Sequence, residues 1–269
     1  MDNHRMQHML TKMLDWFHHY CLENNLRYYM VGGTMLGAAR HQGFIPWDDD
    51  IDVGMPRKDY EILVKQLSVQ HEDYVVESPA YHQGKFITPY AKLYHTGTTF
   101  IEKSKFRLKK GIYLDIFPLD GFGNTMEDSR KYLKKIFFWG NVLNTRVCSV
   151  RKGRSLAKNA AAIAGYMLPI PVEKLINKID KMSKKRDFDA FSYCGNASSP
   201  YRSKGIMPRE YFGTPVLYKF EDIEAYGVEK PDEYLTHQYG NWKQLPPISK
   251  RVTRHDYEVL ELDRSYLKK

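Results

Sequence analysis

Cysteine is scarce. The chain of 269 residues has three, Cys21, Cys148 and Cys194, and no two have the spacing of a zinc knuckle or a redox pair. That excludes a disulfide framework and points to a reducing compartment. The ten histidines include no H-E-x-x-H and no Cys/His ligand pattern, so each reads first as a surface or core residue. No apolar run reaches the roughly 20 residues of a spanning helix. Met1–Tyr20 carries four histidines and no continuous apolar core, unlike a signal peptide. The expectation is a cytoplasmic protein. Internal repeats and low-complexity linkers are missing, and apolar and charged residues are mixed as in ordinary folded chains. The net charge of +9 permits nucleic acid, anionic membrane or phosphorylated substrates and selects none of them.

What is present is concentrated in Val31–Val53, VGGTMLGAARHQGFIPWDDDIDV. A short apolar run, Tyr28–Val31, stops at Gly32-Gly33, where the backbone turns sharply and a ligand approaches without a Cβ in the way. Thr34 is placed to cap a short helix over MLGAARH, ending near Gly43. The amides of that turn, at Gly32, Gly33 and Thr34, favour an anion. Asp48-Asp49-Asp50-Ile51-Asp52-Val53 follows. Alternation predicts a strand with Asp50 and Asp52 on one side, their Cα atoms about 7 Å apart. Two carboxylates so placed repel unless a cation lies between them. Mg²⁺ takes one or two carboxylates and completes its shell with water and phosphate oxygens.

Competing patterns fit less well. The glycines miss the dinucleotide fingerprint by one position, and the P-loop lysine is missing. Asp48, Asp50 and Asp52 imitate a calcium loop, but Val53 stands where that loop needs glycine and Asp59 where it wants glutamate. A solvated acidic turn is the bland alternative; the glycine turn upstream and the Asp-Ile-Asp-Val alternation favour the metal.

Along the chain, Met6, Met9, Leu10, Met13, Leu14, Phe17 and Cys21 recur at helical spacing, so a core-packing helix is expected from about Asn3 to Glu23. Leu26–Val31 reads as a strand, Asp59–Leu67 as a helix, Tyr74–Val76 and Phe86–Tyr94 as strands. Lys92 and Lys85 are candidates to meet a phosphate, or are solvated lysines. Gly111–Gly121, GIYLDIFPLDG, is a second chemically loaded strand. A carboxylate in so apolar a strand costs several kcal/mol unless paired or metal-bound, which makes Asp115 the candidate third acid. Asp120, beside Gly121, reads as a turn residue.

Thr125 starts a capping-box variant. Helices are expected over Ser129–Arg146, Leu156–Leu168 and Val172–Arg186, the middle one apolar and flanked by lysines and arginines. That segment is too short to span a bilayer but is able to lie in its interface; a buried helix with a solvated basic rim is the plainer reading. Strands are expected at Tyr193–Gly195 and Val216–Phe220, then a short helix from Pro231 closed by Gly240 and a helical tail to Lys269. Arg254 and His255, just beyond Pro246-Pro247, are candidates to close over a nucleotide. The expected organisation is a catalytic core over 1–124, a basic helical insert over 125–190 and a C-terminal segment over 191–269 packing back on the core.

The string GGTMLGAARHQGFIPWDDDIDV resembles the LicD family of phosphocholine and related phospho-alcohol transferases, the group that includes the fukutin-related proteins. YLDIFPLDG at Tyr113–Gly121 and YLTHQYGNW with LPP at Tyr234–Pro247 also resemble it. The resemblance implies an α+β, nucleotidyltransferase-like mixed sheet flanked by helices. It implies Mg²⁺ on Asp50 and Asp52, with Asp115 completing the metal site or taking the proton of the attacking hydroxyl. It further implies CDP-choline as donor and a glycan hydroxyl as acceptor, on a lipid-linked precursor of teichoic acid or lipopolysaccharide, with CMP released. A peripheral contact with the inner face of the membrane goes with such an acceptor; nucleic acid is not expected as a partner. A quaternary ammonium wants an aromatic cage, and Trp47, beside the acids, is the named candidate. Spacing alone leaves two alternatives open: a nucleotidyltransferase acting on a small molecule or RNA, and transfer of ribitol, glycerol or ethanolamine phosphate. A non-enzymatic binder of nucleic acid or membrane fits worst, because clustered acids repel a phosphate backbone.

Overall fold

The computed structural model describes residues 3–103, 105–148, 155–199, 202–252 and 257–267. It is an α+β fold, a mixed sheet flanked by helices. Helices α1 (Asn3–Glu23), α2 (Gly32–His41) and α3 (Arg57–Gln66) alternate with strands β1 (Tyr29–Met30) and β2 (Asp52–Pro56). There follow β3 (Tyr74–Glu77), β4 (Ala91–His95), β5 (Thr99–Glu102), β6 (Lys109–Lys110) and β7 (Tyr113–Gly123). Helices α4 (Met126–Val147), α5 (Leu156–Met167) and α6 (Val172–Ser183) come next. The chain ends with β8 (Tyr193–Gly195), β9 (Met207–Pro208), β10 (Val216–Phe220), β11 (Ile223–Gly227), α7 (Pro231–Tyr239) and β12 (Tyr257–Glu261).

The main sheet runs β1-β2-β7-β4-β3, with β8 and β9 joined to the far end of β7. Strand β7 is its axis: parallel to β2, antiparallel to β4 and β8. Its residues Leu114 and Ile116 are fully buried, as the alternation required. The stripe of α1 packs as expected: Leu10, Met13, Leu14, Phe17 and Cys21 are fully buried. Thr125 caps α4, its hydroxyl accepting from the Asp128 amide at 3.1 Å.

A second apolar cluster joins Phe122, at the end of β7, to Leu133, Ile136 and Leu143 of α4 and Leu175, Ile176 and Ile179 of α6. Helix α5 lies against α4, and Leu156 and Met167 are 87% and 81% exposed. Among the described residues no helix is long and apolar enough to cross a membrane.

Several local expectations need correction. The first strand is only Tyr29–Met30. In the stretch from Phe86, strand begins at Ala91, because Pro89 has no amide for the ladder. Helix α2 ends at His41, and Gln42, not Gly43, takes the left-handed C-cap. The tail is not helical over 257–261: Tyr-Glu-Val-Leu-Glu pairs as an edge strand with β5. Asp120 is no turn residue. It is fully buried in β7, and both its oxygens accept from Arg57 of α3, at 2.7 and 2.8 Å. A third guanidinium contact, to Asp180 of α6 at 2.8 Å, ties that helix to the same point.

Candidate active site

The parallel ladder of β2 and β7 sets Asp52 directly opposite Asp115. Asp50 lies two residues before the start of β2, in the loop rather than in a strand. All three acids line one cleft of about 410 Å³. The carboxyl of Asp52 is held well above its ordinary range, first by burial and then by the charges of Asp50, Asp115 and Asp48; Lys92 opposes the shift. The Lys92 ammonium lies 2.7 Å from Asp115 and 3.2 Å from the Tyr113 ring centroid. Lys92 is therefore an internal partner of an acid, not a solvated lysine.

The glycine turn is built around the same acids. Gly32 opens α2 with φ +58°, a conformation that costs glycine little. A Cβ there would sit 3.1 Å from an Asp52 oxygen, and one on Gly33 would sit 2.9 Å from Asp48. The partial positive charge at the start of α2 thus faces carboxylates. The Gly32 amide donates to the Tyr234 hydroxyl at 3.1 Å. Thr34 does not cap the helix; its hydroxyl accepts from the Asp52 amide at 2.8 Å and fixes the residue that carries the acid. The expected Thr34 cap is in this respect corrected: the hydroxyl positions an acid.

Trp47 is partly buried beside the core, with the Arg251 guanidinium 5.6 Å from its ring, and it is not part of the cleft wall. Arg254 and His255 lie outside the described residues. The cleft's aromatic and polar wall comes instead from Tyr90, Phe117, Phe212, Tyr234 and Gln238. The sequence carried a signal for two of these: Tyr234 and Gln238 stand one turn apart in the YLTHQYGNW segment. Nothing marked Phe212 or Tyr90, which reach the cleft only through tertiary packing.

Among the described residues no three His, Cys, Asp or Glu side chains converge closely enough to chelate a metal by themselves. The donor set nevertheless fits Mg²⁺, which needs one or two carboxylates and takes its other oxygens from water and phosphates. The repulsion stored at Asp52 is what a divalent cation relieves.

The fold and the acids define a class, and sequence comparison agrees with it. The family described as "LicD/FKTN/FKRP, nucleotidyltransferase domain" matches residues 25–143. The chain is 31% identical over 259 residues to the lipopolysaccharide cholinephosphotransferase LicD of Haemophilus influenzae, covering 94% of this chain and 96% of that protein. A short segment of 34 residues, 13% of this chain and 7% of the other, is 53% identical to the human ribitol 5-phosphate transferase FKRP. The mannosyltransferase regulator 4 of Saccharomyces cerevisiae is 24% identical over 137 residues, 49% of this chain and 11% of that one. The chain belongs to the LicD family. It is an enzyme, a phosphotransferase.

Proposed function

We propose that this enzyme moves phosphocholine from CDP-choline to a sugar hydroxyl of a cell-surface glycan precursor, of the lipopolysaccharide or teichoic acid type, and releases CMP. The observation that carries the reading is the register of Asp52 against Asp115 with Asp50 in the same cleft. The full-length likeness to a lipopolysaccharide cholinephosphotransferase supports the phosphocholine part.

Phosphoryl transfer asks for position and charge neutralisation more than for covalent chemistry. The acceptor oxygen attacks the phosphorus that bears choline. The bond from that phosphorus to the bridging oxygen breaks, and CMP leaves with the oxygen. Asp115 accepts a hydrogen bond from the acceptor hydroxyl and takes its proton as the new bond forms. Lys92, which is paired with Asp115, would counter the transferred phosphate's charge. Asp50 and Asp52 would hold Mg²⁺, which leaves Asp115 to act as the base. When bound, the ion neutralises the pyrophosphate and eases departure of CMP. Tyr234 fixes the Gly32 backbone at the cleft wall. The exposed apolar side of α5 would rest on the membrane that carries a lipid-linked acceptor.

Product analysis tests this. Purified enzyme with CDP-choline, Mg²⁺ and a glycan acceptor should release CMP only when acceptor and metal are both present, and Asp52→Asn should not. Pyrophosphate released from a nucleoside triphosphate instead would sink the reading in favour of nucleotidyl transfer. The likeness to a ribitol 5-phosphate transferase favours CDP-ribitol as the second donor to try.

A further inference from the structure

Beside the catalytic cleft lies a second cavity, of about 190 Å³. It shares Tyr90 and Asp115 with the cleft, so the two meet at the catalytic acid. Its other walls include four rings, Phe86, Tyr94, Phe100 and Tyr113, beside the charged Lys92, Lys110 and Glu102. Tyr113 packs edge-on against both Tyr94 and Phe100, with centroids 6.1 and 5.8 Å apart. Edge-on packing fixes these rings relative to one another.

The cavity already attracts a cation. The Lys92 ammonium lies 3.2 Å from the Tyr113 centroid and 5.7 Å from that of Tyr90. Ring faces carry negative potential, so they favour positive charge. The charges facing the cavity are Lys92, Lys110, Asp115 and Glu102. Lys92 pairs with Asp115, and Lys110 pairs with Glu77 at 2.5 Å. Glu102 is left with the neutral Tyr113 hydroxyl, which donates to it. Among the described residues no lysine or arginine pairs with Glu102. One negative charge in an aromatic box is thus uncompensated.

We infer that this box, made by Tyr90, Tyr94, Phe100, Tyr113 and Glu102, holds the quaternary ammonium of the donor while its phosphorus lies over Asp52 and Asp115. The inference rests on the phosphocholine reading above and says where the choline end goes. A primary ammonium needs three acceptors for its N–H groups. The rings of this cavity, with the Glu102 carboxylate among them, suit a methylated cation without donors. Lys92 enters from β4, is tied to Asp115 and covers one face of Tyr113, so the methylated cation would meet the remaining rings and Glu102. The cage expected around Trp47 is thereby relocated.

The test is a titration of the whole enzyme with choline, and with 3,3-dimethylbutan-1-ol, its uncharged shape-mimic. Choline should bind at least tenfold more tightly than the mimic. Glu102→Gln and Tyr90→Leu should each weaken choline binding about tenfold, and Tyr90→Phe should retain it. Glu102→Gln leaves the apolar walls in place, so it remains informative if Tyr90→Leu fails to fold. Equal binding of choline and the mimic, or choline binding unchanged in Glu102→Gln, overturns the box. A second readout separates this inference from the donor assignment. Choline binding that obeys these rules, without turnover of CDP-choline, keeps the box and removes the donor. Turnover of CDP-choline with an unchanged preference over CDP-ethanolamine in Glu102→Gln keeps the donor and removes the box.

Discussion

Asp52 of β2 and Asp115 of β7 occupy paired positions on neighbouring parallel strands. Paired positions in a sheet project to the same face, and the strands lie about 4.8 Å apart. The two acids are close by construction, and the sheet cannot separate them. Asp52→Asn and Asp115→Asn should each lower turnover about 10²- to 10³-fold, the scale for removing one preorganised charge-stabilising group. The metal-free Asp52→Asn protein should melt no lower than the parent, because the substitution removes repulsion from Asp50, Asp115 and Asp48. Steady-state kinetics and thermal unfolding check the two halves. Full activity in Asp52→Asn would remove this residue from the mechanism.

Arg57 and Asp120 form the most buried ion pair described, with side chains 9% and 0% exposed. Removing one partner of such a pair leaves an uncompensated charge and costs about 3–5 kcal/mol. Asp120→Asn should therefore lose stability on that scale in urea unfolding. The apolar pair Arg57→Met with Asp120→Leu should recover most of it. A loss under about 1 kcal/mol for Asp120→Asn would mean that water reaches the pair.

Segment 187–189 is held by exposed pairs that acid should release. The Asp189 carboxyl is lowered, chiefly by its hydrogen bond from Arg27, and that of Asp187 chiefly by its hydrogen bond from Lys58. A carboxyl whose value is depressed on folding contributes stability above its unfolded value, about 3.9, and loses it as pH falls toward the folded one. Arg27→Met should thus destabilise the protein at pH 7 and make little difference near pH 2. The gap should shrink in high salt, since these side chains are partly solvated. An equal effect at both pH values would assign Arg27 to packing.

Gly37 sits inside α2 where a Cβ would stand 2.4 Å from the carbonyl oxygen of Gly43. Ala usually strengthens a helix interior by about 0.5–1 kcal/mol. Here Gly37→Ala should instead cost about 1–3 kcal/mol and push the loop that leads to the acids. Chemical denaturation together with turnover would show both effects. A stabilised, fully active Gly37→Ala protein would mean that the loop moves aside freely.

The strongly periodic parts of the fold were legible in sequence. Helix α1 matches its methionine and aromatic stripe end to end, and α7 starts at its proline and stops at Gly240. Asp52 was legible from its strand alternation and Asp115 from the cost of a carboxylate among apolar neighbours, whereas Asp50, read into the same strand, lies in the loop before it. Asp120 was misread because its partner, Arg57, is distant in sequence and local turn chemistry gave the nearer explanation. The edge strand β12 was missed because a five-residue alternation carries little signal without the neighbour it pairs with. Tyr90, Phe212 and Glu102 were invisible for a related reason. Their surroundings are assembled from strands and loops that only the fold brings together.

Strands β7 and β8 pair antiparallel, with Gly121 opposite Cys194. Seen this way, α4, α5 and α6 are the loop of one very long hairpin, leaving and rejoining the sheet at neighbouring positions. Closing a loop costs little more as it lengthens, about 0.6 kcal/mol for each doubling. A change in the length of this excursion therefore costs little and leaves in place Asp115, near the other end of β7, and Asp52 opposite it on β2. The helical excursion and the register that pairs the two acids are thus set at opposite ends of one strand.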